Sequence, residues 1–311
     1  MIFEFADKIR EINIGKLNSI NNTVAYVSAS EFSKFYKNFG FTSEAFIDFE
    51  REDKYFRSKI EVHHNYSYGT LRIIEPQVHN RSENHIAFCI TKKLTLIIGI
   101  TDHEHSVQQK FLETVNRSES TDFSNEKFIS SFIDSLINCD NKGLEEIEFQ
   151  INNMEDRILK EKEYKNFNEE VLSYKRKLLS LRNYYEQLID IGESLTENEN
   201  NIFDKNNLSY FLIFIRKAER LASNVSILRD NITQLRETYQ SALDLKLNNT
   251  MKLFTVLTAF FSPLTLIAGW YGMNFRYMPE LNWKYGYLYV ILLSVSALIT
   301  CIIIFKRKKL I

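Results

Sequence analysis

The sequence predicts an α+β membrane protein. A cytosolic α/β domain and a helical hairpin precede a long stalk helix, which continues into a two-helix transmembrane hairpin. Three observations predict this fold class: two charge-free stretches near the C-terminus, an apolar repeat typical of a long packed helix before them, and short β-rich runs in the first third of the chain. The 311 residues include only nine glycines and three prolines, which favours long helices over a turn-rich β protein.

The membrane segments are predicted from the charge pattern. No charged residue lies between Lys252 and Arg276, and none lies from Tyr285 to Phe305. Each stretch is long enough to cross the ~30 Å of hydrocarbon as a helix, and the short loop between them makes a hairpin. The chain then ends in a basic tail of Lys306, Arg307, Lys308 and Lys309. The positive-inside rule places this tail, and therefore both termini, in the cytosol, with two spans in the cytoplasmic membrane. The alternative, two buried helices of a globular protein, is disfavoured, because such helices rarely combine uncharged apolar runs of this length with a basic end.

The N-terminal region is predicted to be a mixed α/β domain. Helices are expected at Ser30–Phe39 and Ser106–Val115, and the pattern leaves the strand topology open. The predicted strands are Val24–Ser28, Ile60–His64, Thr70–Ile74, Ile86–Thr91 and Leu94–Ile100.

A helical hairpin is predicted after this domain. From about Asn125 the apolar residues recur at spacings of three and four, and the polar stretch Glu161–Asn168 interrupts them. The first predicted face comprises Leu144, Ile147, Ile151, Met154 and Ile158, and the second comprises Val171, Tyr174, Leu178, Leu181, Tyr185 and Leu188. This pattern indicates two antiparallel helices.

A long stalk helix is predicted from about Asn207 to Gly269, roughly 90 Å at 1.5 Å per residue. Neither glycine nor proline occurs between Gly192 and Pro263. A heptad seam runs through Leu221, Val225, Leu228, Ile232, Leu235, Tyr239 and Ala242. Such a seam is typical of a helix packed against copies of itself or against a neighbour.

The membrane part of this helix carries a stripe of polar or small residues, interpreted as the continuation of the seam. The stripe comprises Asn248, Met251, Thr255, Thr258, Ser262, Thr265 and Gly269. Small hydroxylated residues let transmembrane helices pack closely, or they line a wet pore at a symmetry axis. The stripe alone leaves both readings open, and the continuous seam favours the pore.

Several function classes are disfavoured. The net charge is −1, and basic patches with interleaved aromatics are absent, so no nucleic-acid partner is expected. The sequence has no P-loop, GxGxxG or nucleophile elbow, which argues against an enzyme or an ATP-driven pump. The scattered Cys89, Cys139 and Cys301 suggest neither a disulfide framework nor a zinc site. His63-His64 lies in a strand-like run and is a weak metal candidate. Asp102–His105, in a predicted turn, has metal-ligand residue types, but adjacent residues on a loop rarely form a complete site.

The segment that ends the stalk helix carries the most specific signal. It reads NNTMKLFTVLTAFFSPLTLIAGWYGMNFRYMPELNWKYGY, with the tripeptide Gly272-Met273-Asn274 and then Met278-Pro279-Glu280-Leu281. Met251-Lys252 with Thr255 and the PLTxIAG pattern at Pro263–Gly269 precede the tripeptide. Placed at the outer end of a charge-free span, this segment strongly resembles the CorA family of magnesium channels. The close resemblance covers about 248–311, and the rest of the chain agrees with the family only in layout.

The resemblance implies a passive, gated channel for hydrated Mg²⁺, with Co²⁺ and Ni²⁺ as further ions. It implies a funnel-shaped homopentamer in membrane lipid, with the first span lining the pore, no cofactor, and Mg²⁺ as the transported and a regulatory ion. The selectivity filter would be Gly272, Met273 and Asn274, with Asn274 contacting the ion through its hydration shell. Mg²⁺ gives up its waters reluctantly, so neutral amide and carbonyl acceptors suit the hydrated ion. Glu280 adds a negative ring at the outer mouth, or is an ordinary solvated loop acid.

The sequence departs from the family pattern at three places. Arg276 stands where an acid often follows the filter, and Ser262 stands where many relatives have Met. Tyr210-Phe211 is not followed by the acids that bind regulatory Mg²⁺ in relatives, so weaker feedback is expected, or feedback through Asp230 and Glu237. Zinc transport and a non-conducting coiled-coil scaffold are the alternatives.

The predicted domain boundaries follow from these elements. They are 1–120 for the α/β domain, 121–204 for the hairpin, 205–252 for the stalk, 253–273 and 285–305 for the two spans, 274–284 for the loop and 306–311 for the tail.

Overall fold

The computed structural model describes residues 1–16, 21–39, 58–76, 83–160, 165–273, 278–279 and 283–307. The chain divides into an N-terminal unit, Met1–Leu235, and a C-terminal unit, Arg236–Ile311. The combination of an α/β region, a long helix and a C-terminal helix able to span a membrane confirms the predicted fold class.

The described residues of the N-terminal unit form one seven-stranded mixed sheet. Its strands are β1 Ile2–Phe5, β2 Ile9–Glu11, β3 Asn22–Ser28, β4 Lys59–Val62, β5 Ser67–Ile73, β6 Asn84–Ile90 and β7 Leu94–Thr101. The spatial order is β2-β1-β3-β7-β6-β5-β4, with β3 and β7 parallel and the other described pairs antiparallel. All five predicted strands are present. The short strands β1 and β2 were not predicted, because four and three residues are too few for a periodic signal.

The central strands are buried on both faces. In β3, Ala25 and Val27 join a cluster with Phe32 of helix α1 (Ala29–Phe35), on one side of the sheet. On the other side, the ring of Tyr26 lies 5.7 Å from that of Phe111. Helices therefore cover both faces, which explains why β3 reads as a continuous apolar run rather than an alternating one.

Within the described residues, six further α-helices follow the first. They are α2 Ser106–Arg117, α3 Asn125–Ile137, α4 Asp140–Lys160, α5 Phe167–Glu197, α6 Ser209–Tyr271 and α7 Gly286–Arg307. The α4–α5 pair forms the predicted hairpin. Each residue of its two predicted apolar faces is buried except Tyr174, which is half-buried.

Helix α6 is the predicted long helix, and its 63 residues span about 95 Å. Its first half packs inside the N-terminal unit. Ser130 Oγ of α3 donates to the Tyr210 carbonyl at 2.9 Å, and Lys217 Nζ lies 2.6 Å from Asp134 Oδ1. Position 192 on α5 requires glycine, because a Cβ there would lie 2.6 Å from Ile215 Cγ1.

The heptad seam packs against a neighbour within the same chain. Its members Leu221, Val225, Leu228, Ile232 and Leu235 are all at most 4 % exposed. The seam residues of the N-terminal unit are therefore enclosed by their own chain and are not available to face a symmetry axis.

The interpretation that the polar stripe continues the seam is wrong. Strict alternation of four and three after Ala242 leads to Lys246, Asn249, Leu253, Val256, Phe260, Pro263 and Ile267. In the structure the last four of these form a half-buried face of α6. The seam thus runs on into a packing face, and the stripe is a different face of the helix.

Candidate functional site in the transmembrane hairpin

Two helices of the C-terminal unit are long and apolar enough to cross a membrane: the end of α6, and α7. They pack on each other, and the rings of Phe260 and Phe305 lie 5.8 Å apart. The half-buried face of α6 comprises Val256, Ala259, Phe260, Pro263, Leu264, Ile267 and Tyr271. That of α7 comprises Val290, Ser294, Ala297, Leu298, Cys301 and Phe305. The three- and four-residue spacing on both helices is that of a regular helix–helix seam.

The polar stripe lies away from this seam. All seven of its residues, from Asn248 to Gly269, are exposed in the single chain. At 3.6 residues per turn the centre of the stripe is about 150° from the centre of the α7-facing side. Small residues such as Ala259 and Ala297 lie on the half-buried faces where α6 and α7 pack closely. The stripe is therefore not used for packing α6 on α7.

Two hydroxyl groups of the stripe, those of Thr255 and Thr265, are oriented by their own helix. Thr255 Oγ1 donates to the Met251 carbonyl at 2.8 Å, and Thr265 Oγ1 donates to the Phe261 carbonyl at 2.9 Å. A hydroxyl that has donated its proton in this way still offers oxygen lone pairs as acceptors. The waters around a cation point their hydrogens outward, so such acceptors match the outside of a hydrated ion.

A shallow groove of about 760 Å³ runs along the exposed side of α6. The stripe residues Thr258, Ser262, Thr265 and Gly269 line it together with the apolar residues Leu257, Phe261, Leu266, Trp270 and Met273. A polar strip with apolar borders is what a pore-lining helix needs, because the borders are free to meet lipid or another subunit.

The C-terminal end of α6 leads into the predicted filter motif. The helix ends at Tyr271, Gly272 N donates to the Ala268 carbonyl at 2.9 Å, and Met273 N donates to the Trp270 carbonyl at 3.4 Å. A Cβ on Gly272 would lie 2.9 Å from the Ala268 oxygen, so this close approach requires glycine.

Part of the predicted site lies outside the described residues. Asn274 and Glu280 are not among them, nor are Lys308 and Lys309 of the tail. Their assigned roles stay predictions.

The two ends of α7 differ in chemistry. Lys306 and Arg307 close the helix and are exposed. At the opposite end the ring of Trp283 lies 6.3 Å from that of Tyr285 and 6.2 Å from that of Tyr289. Trp and Tyr are enriched at both membrane–water interfaces, and basic residues are enriched at the cytosolic ends of spans, so both ends of α7 have the chemistry of a membrane span.

The weaker metal candidates have structural roles or remain separate. Asp102 accepts hydrogen bonds from Val107 N, Gln108 N and the Tyr26 hydroxyl, so it holds the start of α2. Within the described ranges no group of three or more His, Cys, Asp or Glu side chains is arranged to hold a metal ion. Asp230 and Glu237 are both exposed on α6.

Sequence reasoning overlooked two groups. Cys301 contacts the main chain of α6, and the signal that points to it is Pro263, which leaves one carbonyl of the helix unpaired. Asp140 is 3 % exposed, and burial raises its pKa to about 7. No local pattern marks this aspartate, because its burial depends on elements distant in sequence.

Comparison with known proteins identifies the family. Residues 23–309 match the model of the CorA-like Mg²⁺ transporter protein family. The cobalt/magnesium transport protein CorA of Thermotoga maritima is 29% identical over 259 residues, which are 81% of this chain and 72% of the relative.

Two solved structures share the fold. The complete CorA magnesium transporter of Methanocaldococcus jannaschii matches with a TM-score of 0.80 at 18% identity, covering 98% of this chain and 96% of that one. The cytoplasmic domain of ZntB from Vibrio parahaemolyticus matches with a TM-score of 0.56 at 10% identity, covering 78% of this chain and 97% of that one. Because the family match extends over most of the sequence, the chain belongs to the CorA-like Mg²⁺ transporter family and is a membrane transporter of divalent cations, not an enzyme.

Proposed function

We propose that the chain is the subunit of a homopentameric, passive and gated Mg²⁺ channel in the cytoplasmic membrane. The observation that carries this proposal is the position of the polar stripe on α6. It is exposed and faces away from α7, so it is available to line a pathway between copies of the chain.

The length of the stripe suits a membrane pore. From Asn248 to Gly269 the helix rises about 32 Å at 1.5 Å per residue, close to the ~30 Å of a hydrocarbon core. Facing lipid, the Asn248 amide would lack polar partners, and the acceptor lone pairs of the Thr255 and Thr265 hydroxyls would find no donor. Facing a fivefold axis, each stripe residue becomes a ring of five, and water fills the space between the rings.

The chemistry fits a hydrated cation. Mg²⁺ demands octahedral geometry and loses its waters slowly, so a fast pathway recognises the ion with its water shell. The outward hydrogens of that shell need acceptors, and Thr255 and Thr265 present hydroxyl oxygens whose protons are already donated. Such walls distinguish poorly among hydrated divalent ions, so Co²⁺ and Ni²⁺ are further ions of the proposal.

Selection is assigned to the loop after α6. Gly272 lets the chain leave the helix tightly, and Met273 and Asn274 follow at the outer mouth. Five Asn274 amide oxygens would form a ring of neutral acceptors, and Glu280 would concentrate cations nearby.

The driving force is electrical. Moving two charges through −100 mV releases about 4.6 kcal/mol, at ~2.3 kcal/mol per charge. This would accumulate Mg²⁺ more than a thousandfold, so the channel needs a closing mechanism. Cytosolic Mg²⁺ acting on the exposed acids of α6 is the proposed regulator. The basic end of α7 supports a cytosolic location for both termini, and there this end of the helix would meet anionic lipid.

Two alternatives are less well supported. Zinc transport is suggested by the likeness to the ZntB cytoplasmic domain, but that likeness shows the fold alone, and the intact GMN and MPEL motifs argue against it. A membrane-anchored scaffold would need no exposed hydroxyl stripe.

The test uses the full-length protein in liposomes, with Mg²⁺ uptake followed by a fluorescent indicator. Asn274→Ala should abolish uptake without changing the oligomer, because it removes the acceptor ring of the filter. Asn153→Ala, an exposed position on α4, is the matched control and should behave as the unsubstituted protein. Normal uptake by Asn274→Ala would refute the assignment of Asn274 to the filter. An absence of Mg²⁺ uptake by the unsubstituted protein would refute the proposal that the protein is a Mg²⁺ channel.

A further inference from the structure

Pro263 interrupts the hydrogen-bond ladder of α6 in the middle of its membrane part. Each helical N–H donates to the carbonyl four residues earlier, and proline has no N–H. The carbonyl of Ala259 therefore loses its partner within the helix. In hydrocarbon an unpaired carbonyl costs several kcal/mol, so a partner must come from a neighbouring group.

The neighbouring helix supplies this partner. Cys301 Sγ of α7 lies 3.7 Å from the Ala259 oxygen, and the two residues are 42 positions apart in sequence. Nearby hydroxyls of α7 do not reach across, because Ser294 and Thr300 donate to carbonyls of their own helix. The thiol is a weak donor, but it is placed at the carbonyl that proline leaves free.

This contact lies directly behind the polar stripe. Ala259 and Pro263 belong to the α7-facing side, while Thr258 and Ser262, their immediate neighbours in sequence, belong to the exposed stripe. The Phe260–Phe305 ring contact lies beside the contact of the Cys301 thiol with the Ala259 carbonyl, so α6 and α7 are in register at this level. A helix bends most readily at proline, so the contact bears on the position of the stripe residues on either side of Pro263.

We infer that Cys301 is a positioning residue for the ion pathway, which holds α6 at Pro263 by donating to the Ala259 carbonyl. This inference rests on the proposed channel function of the stripe. Without the thiol, this part of α6 is no longer tied to α7, the rings of Thr258 and Ser262 lose their alignment, and conduction falls.

The experiment is a double-mutant cycle in the full-length protein. Cys301→Ala removes the donor, and Pro263→Ala restores an N–H to the Ala259 carbonyl from within α6. With Pro263 present, Cys301→Ala should slow Mg²⁺ uptake by about threefold, the ratio expected for an average hydrogen bond between transmembrane helices. In the Pro263→Ala background the same substitution should leave the rate unchanged. Equal slowing in both backgrounds would show a packing role only, and no slowing in either would overturn the inference.

A second measurement does not depend on transport. The infrared difference spectrum between the unsubstituted protein and Cys301→Ala isolates the S–H stretching band of this thiol. The band should lie below that of a thiol in an apolar solvent and should move towards it in Pro263→Ala. A band at the free-thiol position in the unsubstituted protein would overturn the inference even if Mg²⁺ uptake were normal. If the protein carried no Mg²⁺, the proposed function would fail, while the band would still decide whether the contact exists.

Discussion

Asp140 is predicted to make the stability of the N-terminal unit depend on pH. It is the first residue of α4 and is 3 % exposed, and it accepts a hydrogen bond from the Tyr185 hydroxyl at 2.9 Å. Burial is the largest influence and raises the pKa of Asp140 from 3.8 to about 7. The Tyr185 hydrogen bond and the positive charges of Lys110 and Lys217 lower the pKa, while the negative charge of Glu75 raises it.

The size and sign of the effect follow from this shift. About three pKa units at ~1.4 kcal/mol each correspond to ~4 kcal/mol. In the folded protein the carboxyl group of Asp140 keeps its proton up to about pH 7, whereas in the unfolded chain it loses the proton near pH 4. The unfolding free energy therefore falls by up to ~1.4 kcal/mol per pH unit between pH 4 and 7, and this contribution is constant outside that range.

Asp140→Asn should remove this pH dependence. The side-chain oxygen still accepts from Tyr185, but no charge forms in the buried site. Burial of the new amide nitrogen costs a constant amount at every pH. The difference in unfolding free energy between the variant and the unsubstituted protein should then grow by roughly 2–4 kcal/mol in favour of the variant from pH 4 to 8.

The assay is thermal unfolding of the full-length protein in detergent, followed by circular dichroism at closely spaced pH values. Asp190→Asn, at an exposed position on α5, is the matched control and should shift the melting temperature equally at all pH values. A constant difference for Asp140→Asn across the range would refute the reasoning, because it would mean that the pKa of Asp140 is the same in the folded protein as in the unfolded chain.

Two further predictions concern the pathway and its regulation. Thr258→Cys should react with small water-soluble thiol reagents, whereas Leu264→Cys, at a position half-buried against α7, should be protected. The labelling of the unsubstituted protein is subtracted from both. Equal reaction of the two variants would mean that the stripe does not line a water-filled path. Millimolar Mg²⁺, bound by Asp230 and Glu237, should protect the N-terminal unit from limited proteolysis. The variant with alanine at both positions should therefore lose that protection. Protection that survives both substitutions would place the regulatory site elsewhere.

The sequence predicted which faces of helices are buried but not what buries them. The hairpin faces and the heptad seam were read correctly from spacings of three and four, because an apolar face that recurs every 3.6 residues must leave water. The partner of the seam was left open, and the structure shows that residues such as Leu228 are enclosed by the chain itself. Extending the seam into the polar stripe failed, since the true continuation is the face around Phe260 that packs on α7.

The sequence by itself determined the two membrane spans, the long helix, the hairpin and the family, because these depend on local apolar runs, helical periodicity and a contiguous motif. Only the tertiary structure decided the strand order with its parallel β3–β7 pair, the burial of Asp140, and the thiol contact of Cys301 with the Ala259 carbonyl. Each of these joins groups far apart in the chain, and periodicity carries no record of which distant groups meet.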